Sequence, residues 1–307
     1  MQPSAFTKPG RFWRGNLHTH SDRSDGVHPA SEVCRRYAEA GYDFLCLSDH
    51  FVGRYGYPIT PTETYRTNRF TTILGAEVHS GAMANGEIWH LLAVGLPQDF
   101  APSNSPEFHP IPDQETGAEL ARRCREAGAF VAIAHPQWYG QVSSDAWEID
   151  AAHAVEIYNH GCQIECGRGD GWAICDLLLS AGRRVTAIAT DDAHFKGPDH
   201  FGGWVMVKAE ENAPEALLDA LKEGAFYSST GPDLHGIEIT GETIHITCSP
   251  AAHIIAVGQN AAATQVHGRN MTRATLPLAP FLKHGWLRVT IMDDIGRSAW
   301  SNPIWLD

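Results

Sequence analysis

The stretch NLHTHSDRSDG, residues 16–26, places two histidines and two aspartates after a short apolar segment. Residues i and i+2 of a strand face the same side, so His18 and His20 can reach one bound ion. Asp25 follows, and Gly26 lets the chain turn away from these side chains. Neutral imidazole and carboxylate are the usual protein ligands of Zn²⁺, Mn²⁺ and Fe²⁺. The stretch therefore indicates the start of a metal centre whose other ligands lie elsewhere in the chain.

Continuous apolar runs alternate with helical patterns from this stretch to about residue 230. Runs such as FLCLSDH, TTILGAEVH and AFVAIAHP are typical of strands buried on both faces of a parallel sheet. Segments such as ASEVCRRYAEA, GAELARRCREAG and DGWAICDLLLSAG have the apolar spacing of helices. Strands that alternate with helices predict an α/β fold with βα units and a parallel sheet or barrel.

Metal-binding residue types recur at or near the ends of these predicted strands. In a (β/α) barrel the carboxyl ends of the strands meet at one rim, where active sites form. A lone His-x-His pair, or a single carboxylate at a strand end, also occurs without a metal. The coincidence over several strands favours a polynuclear metal site. The strand-end and strand-borne candidates are His18, His20, His50, Glu77, His90, His135, Asp192 and His194.

These motifs resemble those of the PHP (polymerase and histidinol phosphatase) superfamily. LHTHSDRSDG, LSDH, GAEV, HLLAVGL, AHP and TDDAH occur in the family's order over about residues 14–230. The chain looks most similar to the carbaryl hydrolase-like (CehA/McbA-type) branch, to which GAFYSSTGP and WSNPIWLD add weaker signals. The resemblance implies a distorted (β/α)7 barrel, a TIM-like fold, that holds two or three divalent metal ions (Zn, Mn or Fe).

The resemblance also assigns ligands to each ion, with Glu77 bridging to the second. The three implied sets are His18, His20 and Asp192; Glu77, His90 and His135; and Asp25, His50 and His194. The family's D-x-H spacing selects Asp192 over Asp191. Asp22 is expected to cap the turn or to orient a histidine. His79 departs from the family pattern, and it either supports a ligand, faces the substrate or lies partly exposed at its strand end.

The sequence changes character near residue 230. STGPDLHG is rich in turn residues, and beyond it apolar and polar residues alternate without a clear helix. We predict a metallohydrolase barrel over residues 1–232 and a β-rich C-terminal module of antiparallel strands over residues 233–307. This module is expected to cover the barrel, to bind substrate or to form an oligomer contact, and the sequence does not choose among these roles.

Composition limits the classes of partner. The formal net charge of −13 argues against a broad basic face, so no long nucleic acid is expected as a partner. We expect no membrane partner, because no apolar run approaches the ~18 residues of a membrane span. Seven scattered cysteines without a Cys-x-x-Cys pair, and no signal-peptide pattern, suit a cytoplasmic location.

The predicted function is metal-dependent hydrolysis of a small-molecule ester, with a phosphoesterase as the first hypothesis. The catalytic candidates are Glu77, His194 and His79, of which the two histidines are candidate proton donors to the leaving group. Cationic side chains near the motif ends are candidate phosphate contacts: Arg23, Arg54 and Lys196.

Two alternatives stay open at this point. A carboxyl-ester, carbamate or amide hydrolase of the carbaryl hydrolase type would need an apolar pocket. Its candidate lining residues are Trp89, Trp138, Tyr139, Trp147 and Trp172. A binding or regulatory domain that keeps its metals for structure is the other alternative, and metal content without turnover would favour it.

Overall fold

The computed structural model describes residues 3–306, which contain seven α-helices and sixteen β-strands. The helices are α1 Ser4–Thr7, α2 Ala30–Glu39, α3 Gly117–Glu126, α4 Ser143–Glu148, α5 His160–Cys166, α6 Trp172–Ser180 and α7 Pro214–Lys222. The strands of the first part are β1 Arg11–Asn16, β2 Phe44–Leu47, β3 His50–Phe51, β4 Thr71–Ala82, β5 Ile88–Val94, β6 Phe130–Ile133, β7 Ala154–Asn159, β8 Thr186–Thr190, β9 Trp204–Ala209 and β10 Phe226–Ser229. The later strands are β11 Leu234–Thr240, β12 Thr243–Gly258, β13 Ala263–Pro277, β14 Trp286–Met292, β15 Ser298–Ser301 and β16 Ile304–Trp305.

The first part of the chain is a mixed α/β fold, as the alternating patterns predicted. Strand pairs β1·β2, β2·β4, β6·β7 and β7·β8 are parallel. However, β4 and β5 form an antiparallel hairpin, and β5 is also antiparallel to β6. The main path of paired strands is open, in the order β11-β12-β14-β15-β10-β9-β1-β2-β4-β5-β6-β7-β8. The expected distorted (β/α)7 barrel is therefore not shown by the strand pairing.

The segment that follows β1 lies between two other strand ends. The backbone N–H of Asp192 donates to the carbonyl of His18, and that of His20 donates to Ala193. On the other side, the N–H of Ser48 donates to the carbonyl of Thr19. These bonds bring the chain after β1, β2 and β8 to the same edge of the sheet.

Helices pack their apolar faces on this sheet. Val33 and Tyr37 of α2 are fully buried, as the helical spacing predicted. Helix α3 begins at a capping box, in which the Thr116 side chain accepts from the Glu119 N–H and the Glu119 carboxylate accepts from the Thr116 N–H. Among residues 3–306, no helix is long and apolar enough to cross a bilayer.

The strands after residue 233 are antiparallel, as their alternating pattern predicted. They have their own core, with Ile254, Leu287 and Phe281 fully buried. β15 pairs with β10, so these strands continue the same sheet. Arg288 on β14 also pairs with Asp176 on α6 through nitrogen–oxygen distances of 2.9 and 2.8 Å.

Candidate metal centre

His18 and His20 lie just beyond the end of β1, and both are fully buried. The Nε2 atoms of the two rings lie 3.1 and 3.0 Å from Oδ1 of Asp192. These three side chains offer ligand atoms that lie within 4.8 Å of one another. The structure therefore brings together the residues that the resemblance assigned to the first ion.

Glu77 occupies the middle of the histidine cluster. Its Oε1 lies 2.8 Å from Nδ1 of His90 and 3.1 Å from Nε2 of His135. Its Oε2 lies 2.7 Å from Nδ1 of His50. The Nε2 atoms of the histidines after β1 lie 3.5 and 3.6 Å from the same oxygen. One buried carboxylate thus touches five imidazoles, an arrangement suited to a residue that bridges ions.

Asp25 reaches the cluster from the loop after His20. Its Oδ1 lies 3.2 Å from Nε2 of His194 and 3.5 Å from Nε2 of His50. These three residues and His20 form one group whose ligand atoms lie within 4.8 Å of one another. The other oxygen of Asp25 accepts a 2.9 Å hydrogen bond from Lys196. The predicted third set therefore also converges.

The two consecutive aspartates after β8 point to different places. Asp192 faces the histidines, and its backbone has a φ of +55°, in the left-handed region. Asp191 instead accepts a 2.7 Å hydrogen bond from the Tyr37 hydroxyl and three bonds from the backbone N–H groups of residues 201–203. Asp191 thereby anchors the loop that follows His194.

A different aspartate from the one expected holds the turn after His20. Asp49 is fully buried and accepts hydrogen bonds from the Ser21 N–H at 2.7 Å, the Ser24 hydroxyl at 2.9 Å and the Thr60 hydroxyl at 2.6 Å. Asp22, expected to cap the turn or orient a histidine, is exposed. The turn that presents the third set therefore depends on the next strand end, which local sequence does not reveal.

His79 is fully buried, so of the three alternatives the partly exposed one does not hold. Its Nε2 lies 3.1 Å from Nδ1 of His50, and it pairs across the hairpin with His90. Together with His50 and Glu77 it forms another group that could hold an ion. His79 therefore belongs to the buried histidine cluster around Glu77.

Sequence reasoning missed Glu156 on β7 and Asn159 at its end. Glu156 is fully buried and accepts a 2.9 Å hydrogen bond from Nδ1 of His18. Asn159 donates to Glu156 at 2.9 Å and to Asp192 at 3.1 Å. The run AVEIYN carried the one available signal, which is a carboxylate inside an otherwise apolar strand.

Unpaired polar atoms show that these residues fit divalent ions. Within residues 3–306, the buried atoms without a hydrogen bond include Nε2 of His18, Oδ1 of Asp25 and Oε2 of Glu77. The last of these is close to His50 but is not aligned for a hydrogen bond. A buried lone pair without a partner is costly, whereas a metal ion would use it. His135 has a φ of +23°, and backbone strain of this kind occurs at functional sites.

The charges of the cluster also suit cations. Burial by itself would raise the pKa of Glu77, but neighbouring histidines, His50 first, outweigh it and hold that pKa well below its ordinary value. Burial likewise opposes ionisation of Asp192, and His18 is the main group that nevertheless holds its pKa well below the usual range. Burial lowers the pKa of His20 to about 4. Although burial opposes it, Asp192 raises the pKa of His18 and Asp25 raises the pKa of His194 to about 9. Near neutral pH the cluster therefore presents ionised carboxylates and a neutral His20, and a cation would displace protons from the other two rings.

A cavity of about 530 Å³ opens onto the cluster. The candidate ligands that line it are Asp25, His50, Glu77, His90, His135, Asp192 and His194. Trp138 and Tyr139 line it too, whereas the fully buried Trp89 packs in the core. Of the lysines and arginines in residues 3–306, Lys196 alone is among the lining residues. Arg54 instead lies near Glu107, at 3.7 Å.

No protein-family description matches the chain, and no curated protein matches it in sequence. Among solved structures, a two-domain protein from Bacteroides vulgatus that contains a predicted PHP-like metal-dependent phosphoesterase aligns with a TM-score of 0.51 and 17% identity over 95% of each chain. A putative metal-dependent phosphoesterase from Bifidobacterium adolescentis aligns at 0.43 and 14% identity, over 61% of this chain and 88% of that one. An amidohydrolase from Chromobacterium violaceum aligns at 0.39 and 15% identity, over 59% and 87%. The first likeness shows a shared fold along nearly the whole chain.

Proposed function

We propose that this protein is a metal-dependent hydrolase of the PHP superfamily that cleaves a small phosphoester. One observation carries the proposal: a buried carboxylate, Glu77, joins histidines from several strand ends at the floor of an open cavity. The shared fold supports it, because the Bacteroides vulgatus protein contains a predicted phosphoesterase of this class. In this proposal, the bonds between residues 18–20 and 192–193 close the distorted (β/α)7 barrel of the family.

The proposed ligands are the nine residues that the resemblance assigns. Asp192 joins the histidines after β1, Glu77 joins His90 and His135, and Asp25 completes the third set. Divalent ions held by these groups would activate a water molecule and neutralise charge on the substrate.

Lys196 is the residue that we propose to bind the substrate. Lys196 lines the cavity and is hydrogen-bonded to Asp25, so its ammonium group is placed to bind an anionic oxygen beside the cluster. His194 also lines the cavity, and its Nδ1–H donates to the backbone carbonyl of Asp192, which leaves Nε2 facing Asp25. His79 has no place on the cavity wall, so we assign it no proton transfer to the leaving group.

A second candidate function is hydrolysis of a carboxylic ester, carbamate or amide, as in the carbaryl hydrolase-like branch. The cavity wall favours it, since Phe108, Trp138, Tyr139 and Ile164 provide apolar surface. Lys196 is the single cationic lysine or arginine among the described lining residues, whereas phosphate sites commonly use arginine.

The experiment compares two chromogenic substrates on Mn²⁺-loaded protein: 4-nitrophenyl phosphate and 4-nitrophenyl acetate. We expect phosphate release that is absent from His20→Ala. Turnover of the acetate ester alone, also lost in that variant, would replace the phosphoesterase proposal by the second candidate. Metal binding without turnover of either ester would contradict both.

A further inference from the structure

We propose that Glu156 is a positioning residue that selects the metal-binding tautomer of His18. This inference rests on the metal centre proposed above and extends it to a residue that touches no substrate.

Glu156 has its acceptor positions filled by four donors. Its Oε1 accepts from Nδ1 of His18 at 2.9 Å and from the Thr190 hydroxyl. Its Oε2 accepts from the backbone N–H of His135 at 2.6 Å and from the Asn159 amide at 2.9 Å. A carboxylate offers about four lone-pair positions. Glu156 is therefore saturated and acts through the ligands rather than as one.

The hydrogen bond determines where His18 carries its proton. An ionised carboxylate only accepts, so Nδ1 of His18 must be the protonated nitrogen. Metal binding requires the neutral ring, whose lone pair is then on Nε2. This atom lies 3.1 Å from Asp192 Oδ1 and 3.5 Å from Glu77 Oε2 and has no hydrogen bond. Outer carboxylates orient metal-binding histidines in this way in general.

The same carboxylate supports two further parts of the centre. Its bond to the backbone N–H of His135 holds a residue with a φ of +23°. Asn159 uses one amide group to bind both Glu156 and Oδ2 of Asp192, which turns Oδ1 of Asp192 toward the histidines. β7 thus holds the side chains of His18 and Asp192 and the backbone of His135, which arrive from three other strand ends.

Glu156→Gln isolates the effect on the tautomer. If the new NH₂ lies on the Oε2 side, it faces the backbone N–H of His135, which cannot accept a hydrogen bond. If it lies on the Oε1 side, the Thr190 hydroxyl can accept from it, and so can His18 once its proton moves to Nε2. The second arrangement satisfies the donors but removes the lone pair that binds metal. We expect Zn²⁺ affinity to fall by about 10–100-fold.

The test uses ¹⁵N NMR of histidine side chains and Zn²⁺ titration on the full chain. In the Zn²⁺-loaded wild type, we expect His18 to carry its proton on Nδ1 and to bind zinc through Nε2. In Glu156→Gln we expect weaker Zn²⁺ binding and a His18 proton on Nε2. Thr190→Val is the matched control. It removes one donor to Oε1 of Glu156 but keeps the carboxylate that accepts from Nδ1 of His18, so the His18 tautomer should be unchanged.

The outcomes separate this inference from the proposed function. Zinc bound through Nε2 of His18 in the wild type, with equal affinity and tautomer in Glu156→Gln, would overturn the positioning role alone. A wild-type His18 that binds no zinc would overturn the metal centre and the inference together. If Glu156→Gln does not fold, the wild-type spectrum still decides, because a proton on Nε2 of His18 contradicts the proposed bond.

Discussion

Replacing Glu77 with Gln tests whether one buried carboxylate joins separate parts of the metal centre. Within residues 3–306, Glu77 belongs to two of the four groups of side chains whose ligand atoms lie within 4.8 Å of one another, whereas Asp25 belongs to one. Glutamine has nearly the same shape but carries no charge, and it places a donor where the carboxylate has lone pairs. With one ion in each of the three proposed sets, we expect Glu77→Gln to lose about two ions and Asp25→Asn about one.

The expected magnitude follows from ligand linkage. An ion present at 100 times its Kd stabilises the folded chain by about 2.7 kcal/mol. At roughly 2.1 cal/mol/K per residue, the 307 residues have an unfolding entropy of about 0.6 kcal/mol/K, so each ion raises Tm by about 4 °C. Saturation with Mn²⁺ should raise Tm by about 12 °C in the wild type, about 8 °C in Asp25→Asn and about 4 °C in Glu77→Gln.

The assay combines metal analysis by mass spectrometry with thermal unfolding of chelated and Mn²⁺-loaded protein. Glu87→Gln is the matched control. It makes the same chemical change at an exposed residue that lines the cavity away from the histidines. Glu77→Gln that binds as many ions as the wild type, with the same rise in Tm, would refute the bridging assignment.

Three further predictions concern other groups. Burial lowers the pKa of His153 to about 4, below roughly 6.5 in the unfolded chain, so the unfolded chain binds more protons between these values. The stabilising contribution of neutral His153 is present above pH 6.5 and is lost as pH falls toward 4. In His153→Gln, the free energy of unfolding measured in urea should therefore decrease less between pH 7 and pH 5 than in the wild type. Asp176→Asn should lower the free energy of unfolding by about 1–3 kcal/mol, because it weakens the pairing of the buried Arg288 guanidinium. Asp49→Asn should destabilise by about 1–3 kcal/mol and reduce metal content, whereas exposed Asp22→Asn should stay within about 0.5 kcal/mol.

Each of these can fail in a distinct way. An unchanged pH dependence in His153→Gln would show that this imidazole does not titrate between the two states. A free energy of unfolding equal to that of the wild type in Asp176→Asn would mean that water hydrates the Arg288 guanidinium when the Asp176 carboxylate is lost. Equal metal content in Asp49→Asn and wild type would mean that the turn before Asp25 keeps its shape without that carboxylate.

Much of the chemistry of the candidate site is local in the sequence. The His-x-His pair follows an apolar strand, and residues two apart in an extended chain face the same side whatever the rest of the fold does. The helical spacing of ASEVCRRYAEA and GAELARRCREAG likewise predicted α2 and α3, because amphipathic periodicity is a property of each segment. The ligand roles of the nine assigned residues stay predictions, although the structure brings their side chains together.

Other features depended on contacts between distant segments. The antiparallel pairing of β4, β5 and β6 was not expected, since apolar runs alone do not show strand direction. Helix α5 was missed, because its seven residues are too short for a clear period. Asp191 and Asp192 are chemically identical, and it is the folded backbone that turns one toward Tyr37 and the other toward the histidines.

The sequence by itself determined which residues have ligand chemistry and that most of them follow strand ends, although Glu77 and His90 lie within β4 and β5. Tertiary structure decided which of them share a site, and which unassigned carboxylates hold them in place. His18 and Glu156 are 138 positions apart, and Ser21 and Asp49 are 28 apart, yet both pairs are joined by hydrogen bonds. Ligand chemistry belongs to individual side chains, but the orientation of a ligand belongs to the strands that the fold places beside it.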